Sequence, residues 1–396
     1  MSNYILFDET SNRISLRPLT YFKPISQLRV GILTIEEKWK HYFKAEMSNL
    51  SDEYLSEIYP LNVTDDNILI NSSVLPDPNL FEAIKKLKKD TTLTNDGFLI
   101  AIRLTAKNLA SFSSGETSDL DSVEYSKPYD RLKNTWDFVK LNKQEIINDF
   151  ELITFGRESA YLSESNMVYG NNYFVEPNAD VEGCSIDTRQ GPVYIGKNAT
   201  VMQGSLIRGP VAIGDTATVK MGALLYEGTS VGPHCKIGGE VGNSILMKYS
   251  SKVHHGYLGD SVIGEWCNLG AGTTISNLKN NYSTVKMWDY EKEKFVDTKM
   301  QFLGLVLGDH CKTGINTMFN TGTVVGVCCN LFDSGYHRNF VPSFSWGRPS
   351  KYQDADIEQI IQTAEIVMKR RNVEISQNDI DVFKHIKQLS SRYKYL

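Results

Sequence analysis

Two adjacent histidines, His254 and His255, stand in a polar stretch, GNSILMKYSSKVHHGYLGDSVIGEWCNLGAGTTISNLKNNY (242–282), together with Lys248, Tyr257, Asn268, Asn277 and the turn Gly270-Ala271-Gly272. Transfer of an acyl group onto an amine or hydroxyl needs a base, and neutral imidazole is suited to that near pH 7. Neighbouring residues on a strand face opposite ways, so one histidine of the pair faces the site and the other faces away. The spacing of three residues to Tyr257 favours His254, with His255 as the alternative. A second set of groups lies near the start of the chain. Arg17 and Lys23 occupy a loop between an apolar run, Tyr4-Ile5-Leu6-Phe7, and a helical pattern, which is how an α/β nucleotide-binding domain begins.

The histidine stretch is mounted on a repeat. Ile195, Val201, Ile207, Ile213, Val219, Leu225, Val231 and Ile237 recur every sixth residue. Neither a helix nor a hairpin strand has that period, whereas a parallel β-helix does, each unit giving one short strand with its aliphatic pointing inward. Burial of each rung stabilises by roughly 1.5–3 kcal/mol. Val175 and Val181 begin the phase. It becomes irregular through 238–256, resumes at Ile263, Leu269 and Ile275, is broken by a polar insertion near 277–300, and continues at Leu307, Phe319, Val325 and Leu331. The histidines therefore fall where the period falters. Insertions between coils project from one corner and commonly form binding surfaces, although the alternating charges of 291–294 read as a solvated face.

The chain of 396 residues is long enough for two or three domains, and its formal net charge of -5 argues against nucleic acid as a partner. No apolar run has the length of a membrane span and the first residues lack the pattern of a signal peptide, so the expected location is the cytoplasm. The six cysteines, at 184, 235, 267, 311, 328 and 329, show no zinc-ligand spacing and read as small apolar fillers of the solenoid.

Along the first part, Leu28, Ile32, Ile35 and Trp39 imply a helix after Pro24; Asn67–Asn71 and 98–102 read as buried strands, 81–90 and 136–152 as helices, and 111–122 as a loop. After the solenoid, Ile357, Ile360, Ile361, Ala364 and Val367, then Ile380, Val382, Phe383 and Ile386, form two amphipathic helices that would cap its open end.

These residues resemble a known family. Leu16-Arg17-Pro18-Leu19-Thr20 and Lys23-Pro24 look like the end of the sugar-1-phosphate nucleotidyltransferase signature. Gly242-Asn243, Met247-Lys248, His254 with Tyr257-Leu258-Gly259-Asp260, Asn268 through Thr273, and Asn277 resemble the acetyltransferase domain of the GlmU-like bifunctional family, in its divergent Bacteroidetes type. The resemblance implies a nucleotidyltransferase-like α/β domain over 1–160, a left-handed parallel β-helix of acyltransferase type over 161–350 and a helical segment over 351–396. It also implies a homotrimer with acetyl-CoA in the clefts between copies, and a sugar phosphate or nucleotide sugar of UDP-N-acetylglucosamine metabolism as acceptor. His254 would then be the base, Lys248, Tyr257, Asn268 and Asn277 would hold the acceptor, the amide of Ala271 would face the thioester oxygen, and Arg17 and Lys23 would contact a nucleotide.

The chain also departs from that pattern. Phe7-Asp8-Glu9-Thr10 stands where the family has a glycine-rich phosphate turn, and two carboxylates repel a triphosphate unless a metal such as Mg²⁺ bridges them. Asn71 stands where the family has a metal-binding aspartate, and an amide is a poorer Mg²⁺ ligand than a carboxylate. Two other readings follow: a nucleotidyltransferase whose solenoid only trimerises it, and a non-catalytic sugar-nucleotide-binding scaffold.

Overall fold

The computed structural model describes residues 2–113 and 120–394. The chain forms two compact units, one of residues 1–16, 23–28 and 33–133, the other of 17–22, 29–32 and 134–396.

The first unit is a six-stranded sheet with the order β2-β1-β3-β5-β4-β6, formed by β1 (Asn3–Phe7), β2 (Met47–Leu50), β3 (Asn67–Asn71), β4 (Thr91–Asn95), β5 (Phe98–Leu104) and β6 (Asp121–Glu124). β1 runs parallel to both β2 and β3, and β5 is antiparallel to β3. All five residues of β3 are buried, and Ile68, Leu69 and Ile70 form the apolar run that a central strand requires. Four helices join it: α1 (Thr10–Ser15), α2 (Ile35–Phe43), α3 (Pro78–Lys85) and α4 (Ala106–Ser113).

The helix expected after Pro24 is shorter than its apolar spacing suggests. A single 3-10 turn spans Ile25–Gln27, and α2 starts only after Thr34, whose side chain accepts from Glu37 N in a reciprocal capping box. Within the expected loop 111–122, α4 continues to Ser113 and β6 starts at Asp121; residues 114–119 lie outside the described residues.

In the second unit, α5 (Asp137–Thr154) precedes a three-sided parallel β-helix, and α6 (Ile357–Lys369) and α7 (Gln377–Ser390) follow it. The architecture is the expected one, an α/β domain, a β-helix and C-terminal helices. One face of the prism is an unbroken nine-stranded ladder from Tyr173–Val175 to Phe340–Val341. Ile195 pairs Ile213 and Ile213 pairs Val231, a coil of 18 residues, which is three hexapeptides. Every predicted rung from Ile195 to Ile237 lies in one buried core together with Cys184, Cys235, Cys267, Cys311 and Cys329. All six cysteines are free and buried.

The irregular stretch has a simple cause. Val231 pairs Leu246, 15 residues on, and Leu246 pairs Ile263, 17 residues on, so two successive coils are short. Their register is held at one corner by a stack of His234, Tyr249 and Trp266, whose ring planes lie within 3° of parallel at 4.7 and 4.1 Å. The insertion carries an antiparallel hairpin, Lys286–Asp289 with Lys294–Asp297, whose Met287, Trp288 and Tyr290 are buried. α6 and α7 run along the flank of the prism rather than over its end: Arg371 Nη2 lies 3.5 Å from Ser251 Oγ, and Phe383 packs on His310 at 4.8 Å. The last strand of one ladder is instead covered by an antiparallel strand, Lys351–Asp354.

Candidate active site

The turn between the strands Ser251–Lys252 and Tyr257–Gly259 carries both histidines, and both are exposed. Two features fix its backbone. Gly256 has φ +123°, and a Cβ there would lie 2.1 Å from Thr273 O, so no larger residue fits. Beneath it Lys252, 2% exposed, pairs with Ile237 and takes the inward place that Val201, Val219 and Ile237 hold in the preceding coils. Its Nζ donates to Gly238 O at 3.0 Å and His254 O at 2.7 Å, and burial lowers its pKa to about 8.

Next to the turn opens a cleft of about 730 Å³ lined by Tyr257 and Asn277. Its floor is a connected polar set. Asn277 Nδ2 donates to Tyr257 Oη at 3.1 Å and to Asp260 Oδ2 at 2.6 Å, while Asn243 Nδ2 donates to Asp260 Oδ1 at 2.6 Å. Asp260 is 9% exposed, and its burial raises its pKa against the two amide donors that stabilise the charged form. Burial, then the Asp260 charge, raises the Tyr257 pKa. The phenol thus stays protonated at neutral pH and can donate to a ligand. Lys140 and Lys143 of α5, Glu227, Glu240, Gln301 and Phe302 complete the walls.

Of the expected acceptor residues, Tyr257 and Asn277 are brought together in this cleft. Lys248 is directed elsewhere, 3.9 Å from Glu265. Asn268 is exposed on a different face, bridged to Ser251 and Lys312 in the third ladder. Ala271 sits in the turn next to the histidines: Gly272 N donates to His255 O at 3.0 Å and Asn316 N to Ala271 O at 2.7 Å.

The candidate nucleotide residues near the start of the chain are engaged within the protein. Arg17, 7% exposed, donates to Tyr393 Oη at 3.2 Å and lies over the Tyr21 ring. Lys23 is 2% exposed. Where a glycine turn would cradle phosphate, Asp8 is paired with Arg13 at 2.9 Å and accepts from Ser51 Oγ at 2.6 Å. Asn71 Oδ1 accepts from Ser73 N and Ser73 Oγ at 3.0 and 2.7 Å, and Asp66 is held by Arg103 at 2.7 Å, which lowers its pKa to about 2. These donors do not fit a Mg²⁺ site, and among the described residues no three His, Cys, Asp or Glu side chains are grouped to hold a metal.

Residues 4–158 match the sugar nucleotidyl transferase family. The bifunctional protein GlmU of Methanocaldococcus jannaschii is 42% identical over 90 residues, 23% of this chain and 21% of that protein. The bifunctional sugar-1-phosphate nucleotidylyltransferase/acetyltransferase of Sulfurisphaera tokodaii is 38% identical over 93 residues, 24% of this chain and 23% of that protein. Over these segments the chain is similar to bifunctional GlmU-type proteins. With GlmU of Geotalea uraniireducens the match extends to 160 residues at 34% identity, 39% of this chain and 31% of that protein. The chain therefore spans a fifth to a third of the length of these relatives.

Asn243, Asp260, Lys140 and Lys143 are among the cleft residues to which the sequence assigned no role. Asn243 and Asp260 lie within the quoted motifs Gly242-Asn243 and Gly259-Asp260, so a signal for them existed. Lys140 and Lys143 had none, since helical lysines usually mark only a solvated face.

Proposed function

We propose that this GlmU-like chain is a transferase that moves an acetyl group from acetyl-CoA to an amino-sugar phosphate or a nucleotide sugar of the UDP-N-acetylglucosamine type. The observation that carries the reading is the hydrogen-bonded set of Tyr257, Asn277, Asp260 and Asn243 on the floor of a cleft, three residues from an exposed His254. The acceptor amine or hydroxyl attacks the thioester carbonyl, forming the new C–N or C–O bond. His254 takes the proton from the attacking atom; the C–S bond breaks, and that proton goes to the departing CoA thiolate. The Ala271 amide faces the carbonyl oxygen, where charge develops.

An exposed base does not exclude water, so the site is completed by neighbouring copies in a homotrimer. An outward column supports this: Met167, Leu206 and Leu224 share the ladder that ends at Tyr257, and Met167 and Leu206 are 59% and 50% exposed. In that assembly Asn268 and Lys248 reach the acceptor of an adjoining copy. No helix among the described residues is long and apolar enough to cross a membrane, and we place the reaction in the cytoplasm. Incubation with acetyl-CoA and amino-sugar phosphates, reading thiol release, tests the reaction. Light scattering tests the assembly, and a monomer would sink it.

The family match over residues 4–158 favours a second reading, a nucleotidyltransferase using Arg17, Lys23 and Mg²⁺ with the solenoid only as a trimeriser. The engaged side chains of Asp8 and Asn71 weigh against it. Pyrophosphate release from nucleoside triphosphate, Mg²⁺ and sugar phosphate, with no thiol, would establish it. Sugar-nucleotide binding without either product would leave the scaffold reading.

A further inference from the structure

We infer that α5, outside the solenoid and outside the residues the family resemblance points to, supplies the anion-binding half of the acceptor cleft: Lys140 and Lys143 hold a phosphate, and Glu227 takes a hydrogen-bond donor or ammonium of the same ligand. The role of the site rests on the acyl-transfer reading; the ligand chemistry does not. Lys140 and Lys143 are three apart on the helix, hence on one face, and both line the cleft with Tyr257 and Asn277. Both are exposed, and neither has a carboxylate partner among the described residues.

Their position is fixed by a residue between them. Asn142 is fully buried; its Nδ2 donates to Gly228 O at 2.7 Å, and its Oδ1 accepts from Gly31 N at 2.7 Å and Ser230 Oγ at 3.1 Å. A helix clasped in this way cannot roll its lysines out of the cleft. On the solenoid side, Glu227 precedes the Gly228 of that clasp, and its carbonyl accepts from Asn243 N at 3.1 Å. Its Oε2 is buried with no hydrogen-bond partner among the described residues. A carboxylate oxygen removed from water without a donor is costly, and a bound donor would satisfy it. With Glu240 and Asp260 on the same side, the cleft sets negative groups opposite positive ones, which suits a ligand carrying both an amine or hydroxyls and a phosphate.

Phosphate could come from a sugar 1-phosphate or from the diphosphate of a nucleotide sugar, and two arms separate them. Titration calorimetry of the full chain, without acetyl donor, would use glucosamine 1-phosphate in one arm and UDP-N-acetylglucosamine in the other, with phosphate-free glucosamine as control. Lys140→Ala/Lys143→Ala should weaken the phosphate ligand by roughly 10- to 100-fold and leave glucosamine unchanged. Glu227→Gln should weaken the amine-bearing ligand. The arm that depends on the lysines names the source. Affinity unchanged by the double variant in both arms, with the melting temperature also unchanged, overturns the inference. Lysine-dependent binding without thiol release would overturn only the acyl-transfer reading; thiol release with KM unchanged by the double variant would overturn only this one.

Discussion

The ammonium of Lys252 lies 2.7 Å from the carbonyl oxygen of His254, inside the aliphatic lumen of the β-helix. A charge occupies a rung because the turn above it needs its carbonyls held. Between about pH 8 and the ordinary 10.5, the unfolded chain binds a proton that the folded chain has given up, so stability rises with pH across that window. Below about pH 8 both states carry the charge and the full burial cost is present. Lys252→Met should remove that rise, worth roughly 3 kcal/mol, in urea titrations at pH 7 and 10. It should also lower kcat by roughly 10- to 100-fold with KM little changed, because the histidine turn loses its anchor.

The two histidines should separate cleanly. His254→Ala should reduce acyl transfer by roughly 10²–10⁴-fold in a thiol-release assay, and His255→Ala by far less. The reverse order would make His255 the base.

Asn142→Leu breaks three hydrogen bonds and leaves Gly228 O, Gly31 N and Ser230 Oγ buried without that partner. A loss of about 2–4 kcal/mol is expected in urea unfolding. The surviving folded protein should have a raised KM for the phosphorylated acceptor.

Arg13 is 2% exposed and binds Asp8 and Asp52 at 2.9 and 2.7 Å, Tyr54 Oη at 3.0 Å and Lys23 O at 2.9 Å. Its charged partners raise its pKa further against the burial that opposes them. Arg13→Met leaves the Asp8 carboxylate without its cation and should cost about 3–5 kcal/mol, read by circular dichroism in urea. Acyl transfer by the folded fraction should be unaffected if the solenoid carries that chemistry.

The solenoid was legible because its cause is local and repeated. An aliphatic at every sixth position has one stable explanation, and Ile195 to Ile237 occupy one buried core as the spacing requires. Caps at Asp77, Asp356 and Ser376, each with the side-chain acceptor such a position needs, are local enough to be legible, though apolar spacing alone does not locate them. The start of α2 was not, because the apolar spacing of Leu28 and Ile32 imitates a helix while Gly31, at φ +85° against Asp149, interrupts it.

The sequence by itself determined the β-helix and the order of the domains, since these depend on periods along the chain; family resemblance alone named Lys248 and Asn268, which the fold places elsewhere, alongside Tyr257 and Asn277, which it brings together. Only the tertiary structure decided what faces that pair. Lys140 and Lys143 lie more than a hundred residues upstream, on a helix whose placement is set by the Asn142 clasp to Gly228, and no period links a helix to the coil it packs on. Whether Arg17 is open to a ligand was likewise beyond one-dimensional reading, because Tyr393 meets it only once the chain is folded, whereas the partners of Asp8 and Asn71, Arg13 and Ser73, lie five and two residues away.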